Sequence, residues 1–345
     1  MSWHSVRGHD RIVTMLRASL RSGRMPHALL FVGPEGIGKR TFARMLAKAL
    51  LCEETLEEDL DPCGVCPGCV QVEAGTHPDL LEAGRPPERS ELPIQVIRDL
   101  CAEFGLKPAR GLRKVAIVDD VDDMNDEAAN AFLKTLEEPP PGAVLILIGT
   151  SAELQLETVV SRCQIVRFEP LPESELAELL LERGVATSPG EAARLAALGE
   201  GSMSRSSGLA DVKLEQFRRE LIDELALEKG FDPSLLAGRM ATFVREGVKE
   251  ASNQRRRAGL LVGELARLFR GVLWQTAGLE PPCPDPADRA AACALASRLE
   301  PEDVFILADR CMEAAYHLQR NLYLPTVLES LFHDLGKVIN VCVSG

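Results

Sequence analysis

Three groups of side chains in this sequence are spaced for chemistry. Gly33-Pro34-Glu35-Gly36-Ile37-Gly38-Lys39 follows the first seven positions of the phosphate-binding pattern GxxxxGK[ST]. Glycines suit such a loop because inward-turned backbone amides cradle an anion at positions a side chain would obstruct. Lys39 would reach the β and γ phosphates, and a helix starting there presents its positive dipole end. The eighth position, where a Ser or Thr hydroxyl helps to hold magnesium, is Arg40. Thr41 comes next, but one helical residue turns about 100° around the axis, so it does not simply substitute. The pattern predicts a site that can take ATP and Mg2+ but hydrolyses poorly.

The second group ends a short apolar run, Lys114-Val115-Ala116-Ile117-Val118-Asp119-Asp120. In phosphate-loop ATPases the first acid at such a strand end orients magnesium and a following Glu polarises the attacking water. Here the second acid is Asp120, one methylene shorter, and phosphoryl transfer depends strongly on position. Alone, the pair reads equally well as an acidic turn closing a strand; the phosphate loop upstream favours the catalytic reading.

The third group is Cys52, Cys63, Cys66 and Cys69, in the pattern C-x10-C-x2-C-x2-C. Thiolates at C-x2-C spacing on a tight turn can face one ion, and Pro62, Gly64 and Gly68 supply the turn chemistry. Four sulfurs close a tetrahedral shell, so the metal is expected to be structural. Zinc suits the spacing better than an iron–sulfur cluster. His77 is a rival ligand, although His77-Pro78-Asp79 reads as the start of a strand. The scattered Cys101, Cys163, Cys283, Cys293, Cys311 and Cys342 read as core residues.

These groups need elements to hold them. Arg11–Arg21 has helical periodicity, His27–Val32 is a buried parallel strand, and Thr41–Leu51 resumes helical spacing. Helices are predicted at Ile94–Phe104 and Glu127–Glu138, the latter stopped by three prolines, and strands at Lys114–Val118, Ala143–Ile148 and Gln164–Phe168. That alternation implies a doubly wound parallel sheet. Helices at Glu173–Arg183 and Glu191–Leu198 follow, and residues beyond Leu214 read as helical with breaks at Gly230–Pro233 and Pro281–Pro286.

Composition bounds the rest. At 345 residues two or three domains are expected. A net charge of −13 is the wrong sign for gripping a phosphate backbone unaided, and 4% aromatic residues give little stacking surface. Arg255-Arg256-Arg257 is a basic cluster that reads as a solvated helix face. No run approaches the roughly 20 apolar residues of a membrane span. No signal peptide is apparent either, so a cytoplasmic protein is expected.

A cysteine module between a phosphate-loop helix and an acidic strand resembles the bacterial DNA polymerase III clamp-loader subunits. That gamma/tau and delta-prime family lies within the AAA+ ATPases. Pro26–Phe31, the stretch from Asn125 to Pro140 and the triplet Ser161-Arg162-Cys163 are similar to its entry strand, its helix after the acidic strand and its SRC motif. The resemblance implies an α/β AAA+ domain of the P-loop NTPase fold over residues 1–168, with a parallel sheet and a zinc-binding insertion at 52–69. It further implies a small helical lid over 169–210 and an all-α collar for oligomerisation over 211–345.

By the same resemblance Arg162 becomes an arginine finger for a neighbouring subunit, and Asp119 and Asp120 the acids of the nucleotide site. Gly33, Gly36, Gly38, Lys39, Arg40 and Thr41 line the phosphates. Thr150 becomes the first nucleotide sensor, with Ser151 its rival by register. Arg205, in Gly201-Ser202-Met203-Ser204-Arg205, is either a second sensor or a helix-capping surface residue, and Gly8 lies in the adenine-side turn. Implied partners are gamma/tau and delta subunits, and through them the beta sliding clamp and primed DNA. Motor subunits carry Ser/Thr after the loop lysine and Asp-Glu on the acidic strand. Arg40 and Asp120 instead match the delta-prime type, a stator with weak or no hydrolysis; an active motor and a nucleotide-free scaffold are the alternatives.

Overall fold

The computed structural model describes Trp3, residues 6–86, Arg89, residues 91–281, Cys283 and residues 285–340. Cys342 lies outside the described residues. The chain divides into two compact units, Met1–Leu179 with Glu200–Ser204, and Leu180–Gly199 with Arg205–Gly345. Residues 169–210, expected as a lid, are shared between them.

The first unit is built on five parallel strands: β1 (Ala28–Val32), β2 (Leu80–Ala83), β3 (Lys114–Val118), β4 (Ala143–Ile148) and β5 (Gln164–Arg167), in the order β2-β3-β4-β1-β5. Helices alternate with them: α1 (Asp10–Arg21), α2 (Lys39–Leu50), α3 (Pro67–Ala74), α4 (Ile94–Phe104), α5 (Asp126–Glu137) and α6 (Glu157–Val160). The central strands are continuous apolar runs because both faces are covered. Leu29, Phe31, Ile117 and Ile146 pack on the face with α1 and α2, while Leu30, Val118, Leu145 and Leu147 pack with α4 and α5. β2 follows directly on His77-Pro78-Asp79, read as the start of a strand, whereas α3, inside the cysteine pattern, and the short α6 escaped the sequence reading.

Ends follow local chemistry. Asn125 caps α5 by accepting from the Ala128 amide at 2.9 Å, with Asp126 and Glu127 in the first turn and prolines beyond the end. Pairing also fixes the site. Phe31 lies beside Ile148, Val32 beside Arg167, and Val118 beside Leu147. The carboxyl ends of β1, β3 and β4 are therefore level, and the chain leaves β1 toward one edge while β5 pairs on its other side. Ligand sites of open parallel sheets form at such switch points.

The remaining helices run α7 (Glu173–Glu182), α8 (Pro189–Gly199), α9 (Met203–Leu209), α10 (Val212–Ala226), α11 (Pro233–Arg245), α12 (Ala251–Thr276), α13 (Pro286–Ala296), α14 (Pro301–Gln319) and α15 (Leu324–Ile339). Asp211, Asp232 and Asp285 cap three of them, the last two each followed by proline. In the second unit Leu265, Phe269, Leu307 and Phe332 are buried. So is Arg218, which donates to Glu215 and, through one nitrogen, to both oxygens of Asp288.

Two expectations need correction. Arg257 is not a solvated residue: its guanidinium lies 4.1 Å from the centre of the Phe243 ring and donates to the carbonyls of Phe243 and Glu246. Of the five scattered cysteines described, Cys311 alone is buried; Cys101, Cys163 and Cys283 are half-buried and Cys293 is exposed. Among the described residues no helix is long and apolar enough to cross a membrane.

Candidate functional site

The loop from Gly33 to Lys39 joins the end of β1 to the start of α2. Gly33 has φ 148° and its amide donates to the Thr150 carbonyl at 3.0 Å; a Cβ there would lie 2.4 Å from the Phe168 carbonyl oxygen. Gly36 has φ 75°, and a Cβ would meet the Ser202 hydroxyl at 2.4 Å. Its carbonyl accepts from the Met203 amide at 3.0 Å. No side chain fits either position without strain. Gly38, also left-handed, leads into α2.

Lys39 is buried, and its ammonium donates to the carbonyls of Gly33 and, at 2.7 Å, Pro34. Burial lowers its pKa from the usual lysine range, against the attraction of Glu35, Asp122 and Asp119. The ammonium thus sits inside the loop, with left-handed glycines of the kind an amide nest uses. These residues fit a phosphate group.

At the end of β3, burial and the neighbouring Asp120 carboxylate raise the Asp119 pKa, with Arg40 and Lys39 opposing. Asp120 is left-handed at φ 55°, and its amide donates to Asp119 Oδ1 at 3.1 Å. Arg40 extends from the first turn of α2 to within 3.6 Å of Asp119 Oδ2. The loop and the acidic strand end, separate in sequence, are therefore one site.

Thr150 follows β4 at the same end. Its amide and hydroxyl both donate to Asp122 Oδ2, at 2.6 and 2.8 Å, while Gln155 donates to Asp122 Oδ1 at 2.5 Å. Ser151, the rival by register, pairs with Glu153 instead. Asp122 was not singled out from sequence, and neither was His9. His9 is buried against Phe42 and Phe168, with Nε2 3.0 Å from the Ile37 carbonyl of the loop. Burial holds its imidazole below the usual histidine pKa. Local sequence gives no signal for either contact. Thr41 is half-buried in the first turn of α2, and Gly8 backs onto Leu171.

Arg162 lies between α6 and β5. Two of its nitrogens donate to Glu137 Oε1, at 3.0 and 2.6 Å, and a third to the Thr158 carbonyl at 2.9 Å. The guanidinium is held in one orientation while about a third exposed, at 35%. Arg205 belongs to the second unit, where it pairs with the buried carboxyl of Glu264.

The four cysteines form a separate cluster, with all sulfurs within 4.8 Å of one another. Cys52 and Cys66 are 3.9 Å apart, and Cys63 and Cys69 4.0 Å. A tetrahedron with Zn–S bonds of about 2.3 Å has edges of about 3.8 Å, so the sulfurs can hold one metal ion such as zinc. Burial opposes ionisation of Cys52, but hydrogen bonds, including one from the Cys63 amide at 3.5 Å, bring it down to about 6. His77 stands apart, its Nδ1 accepting from the Asp79 amide at 3.0 Å. α3 docks on α2 through Lys48 and Glu73, paired at 2.6 Å, and through Arg44, which donates to the Val72 carbonyl at 3.2 Å.

A glycine loop at the switch point of a five-stranded parallel sheet, facing an acidic strand end, defines the phosphate-loop class of α/β fold. Residues 8–172 match the family model described as "DNA polymerase III, delta subunit". The chain is 36% identical over 208 residues to the tau subunit of DNA polymerase III from Escherichia coli, a match covering 59% of this chain and 32% of that one. It is 34% identical over 186 residues to the delta-prime subunit of Bacillus subtilis, covering 54% and 55% of the two chains. Against delta-prime of Pseudomonas aeruginosa it is 38% identical over 202 residues, covering 57% and 60%. These matches span between 32% and 60% of the relatives' own lengths. Over residues 8–172 the chain is thus similar to DNA polymerase III clamp-loader subunits.

Proposed function

We propose that this chain is the delta-prime, or stator, subunit of a DNA polymerase III clamp loader. In this role it helps to load the beta sliding clamp on primed DNA, within a hetero-oligomer containing gamma/tau and delta subunits. It donates Arg162 as an arginine finger to a neighbour's nucleotide site and hydrolyses little ATP itself. Residues 52–69 form a zinc module, 169–210 a helical lid, and 211–345 a collar. Thr150 serves as the sensor of the chain's own loop.

The observation that carries this reading is the ion pair of Arg40 with Asp119. It occupies the acid that a motor subunit needs for magnesium, while Arg162 keeps a restrained and partly exposed guanidinium. A finger in the active orientation stabilises charge on the transferring phosphoryl group. The likeness to tau chains favours a second reading, an active motor, and Arg40 and Asp120 weigh against it.

Steady-state ATPase of the chain alone, and assembled with gamma/tau and delta, tests the proposal. The isolated chain should turn over little. Arg162→Ala should still assemble but lower the ATPase of the complex, by up to about 10³-fold at the affected site. Robust turnover by the isolated chain, abolished by Lys39→Ala, would refute the stator reading.

A further inference from the structure

The loop carries a cation that the hydrolytic pattern lacks. Arg40 Nη1 lies 3.6 Å from Asp119 Oδ2, and Arg40 Nη2 lies 3.6 Å from Glu82 Oε2. Glu82, at the edge strand β2, is held in turn by Arg44 Nε at 2.9 Å, one turn further along α2. The acid that would orient magnesium thus already faces a positive charge, and the hydroxyl that would share the metal is replaced by that charge.

A divalent cation beside Asp119 would sit against the Arg40 guanidinium, with the Lys39 ammonium also acting on the same carboxylate. Like charges in a partly buried site repel strongly. These residues do not fit magnesium. They do fit phosphate: the guanidinium fork matches two phosphate oxygens, Lys39 is fixed inside the loop, and the start of α2 adds its dipole.

We infer that this loop takes the polyphosphate of a nucleoside triphosphate without a divalent cation, Arg40 supplying beside Asp119 the charge that a metal ion supplies in a hydrolytic site. The inference rests on reading the loop as a nucleotide site. Arg40 then becomes a binding group, and the nucleotide is a ligand held intact.

Equilibrium titration of the full chain with a fluorescent ATP analogue, in excess magnesium and in EDTA, tests this. Because excess magnesium holds the nucleotide as its metal complex and so competes with the loop, wild-type binding should be retained in EDTA and be tighter there than in excess magnesium. Arg40→Thr restores the hydroxyl of the pattern; it should bind with magnesium and lose about tenfold or more in EDTA. Manganese, read by its paramagnetic resonance, should be taken up by the ATP complex of Arg40→Thr and not by that of the wild type. Arg40→Ala, on an exposed helix face, should weaken binding about tenfold in EDTA, the scale of one charge-assisted contact. If wild-type binding is lost in EDTA, or Arg40→Ala binds there as tightly as wild type, the inference falls and the nucleotide reading stands. If wild type binds in neither condition, the nucleotide reading itself fails.

Discussion

Removing the metal from the cysteine cluster should melt a defined piece of the molecule. Between Cys52 and Cys69 the buried apolar side chains other than the cysteines reduce to Leu60. Ordering residues 52–69 costs roughly 20 kcal/mol at about 1–2 kcal/mol per residue. Burying Leu60 returns about 2 kcal/mol. Three tethers add about 1 kcal/mol each: Trp3 Nε1 to the Leu60 carbonyl, Arg17 Nε to the Asp59 carbonyl, and the Arg113–Glu57 ion pair. A zinc ion on four thiolates supplies about 10–16 kcal/mol, which closes the balance to within a few kcal/mol. Without it the segment is short by about 10 kcal/mol or more and unfolds locally.

The purified chain should carry one zinc ion, measured by elemental analysis. After chelation, or in Cys66→Ser, amides of residues 52–69 should lose hydrogen-exchange protection. The change should spread into α3 and the end of α2, because the almost fully buried Lys48 ammonium depends on Glu73 of α3. The apolar strands β1, β3 and β4 should stay protected. A chelated protein that keeps protection over 52–69 and melts normally would refute the metal-dependent account.

Three further tests address the loop and the second unit. Gly36→Ala should destabilise the first unit by about 2 kcal/mol or more, because φ is 75° and the new Cβ would meet Ser202; an unchanged melting curve would contradict this packing. Neutral His9 contributes stability above pH 6.5 that is lost as pH falls through its depressed folded pKa; His9→Gln should flatten that acid limb in melts taken across the window. Burial raises the Glu264 carboxyl from 4.5 to about 7 against Arg205 and Arg218, so the folded state holds its proton longer than the unfolded chain. Its contribution should therefore fall as pH rises from 4.5 to about 7, by at most about 3 kcal/mol, and Glu264→Gln should remove that slope in denaturant titrations.

The parts of the site that are local in sequence were legible. Three glycines before a lysine, an apolar run ending on acids, and C-x2-C spacing each encode a local geometry, and the strands Lys114–Val118 and Ala143–Ile148 occur where both their faces are apolar. The edge strand Leu80–Ala83 was legible only by its start at His77-Pro78-Asp79, because it is short and half-buried, with no apolar run to mark its extent. Helix Pro67–Ala74 was missed because its residues were read as metal ligands and turns. The contacts that hold the site could not be read, since each joins residues distant in sequence. Asp122 fixes Thr150, His9 reaches the Ile37 carbonyl, and Glu137 orients Arg162.

Arg40 shows how the two levels combine. Its identity, read from sequence, says only that the magnesium hydroxyl is gone; its position, read from the fold, says where the replacing charge goes. A long cation placed on the first turn of α2 meets Asp119 because β3 and β1 end level on either side of β4. The same register brings Thr150 beside the loop and leaves its hydroxyl committed to Asp122 rather than Asp119. On the inference drawn above, the fold thus positions the residue that replaces the metal-binding hydroxyl where it adds positive charge to the loop. On the proposed reading, weak hydrolysis and retained phosphate binding would be two consequences of one substitution.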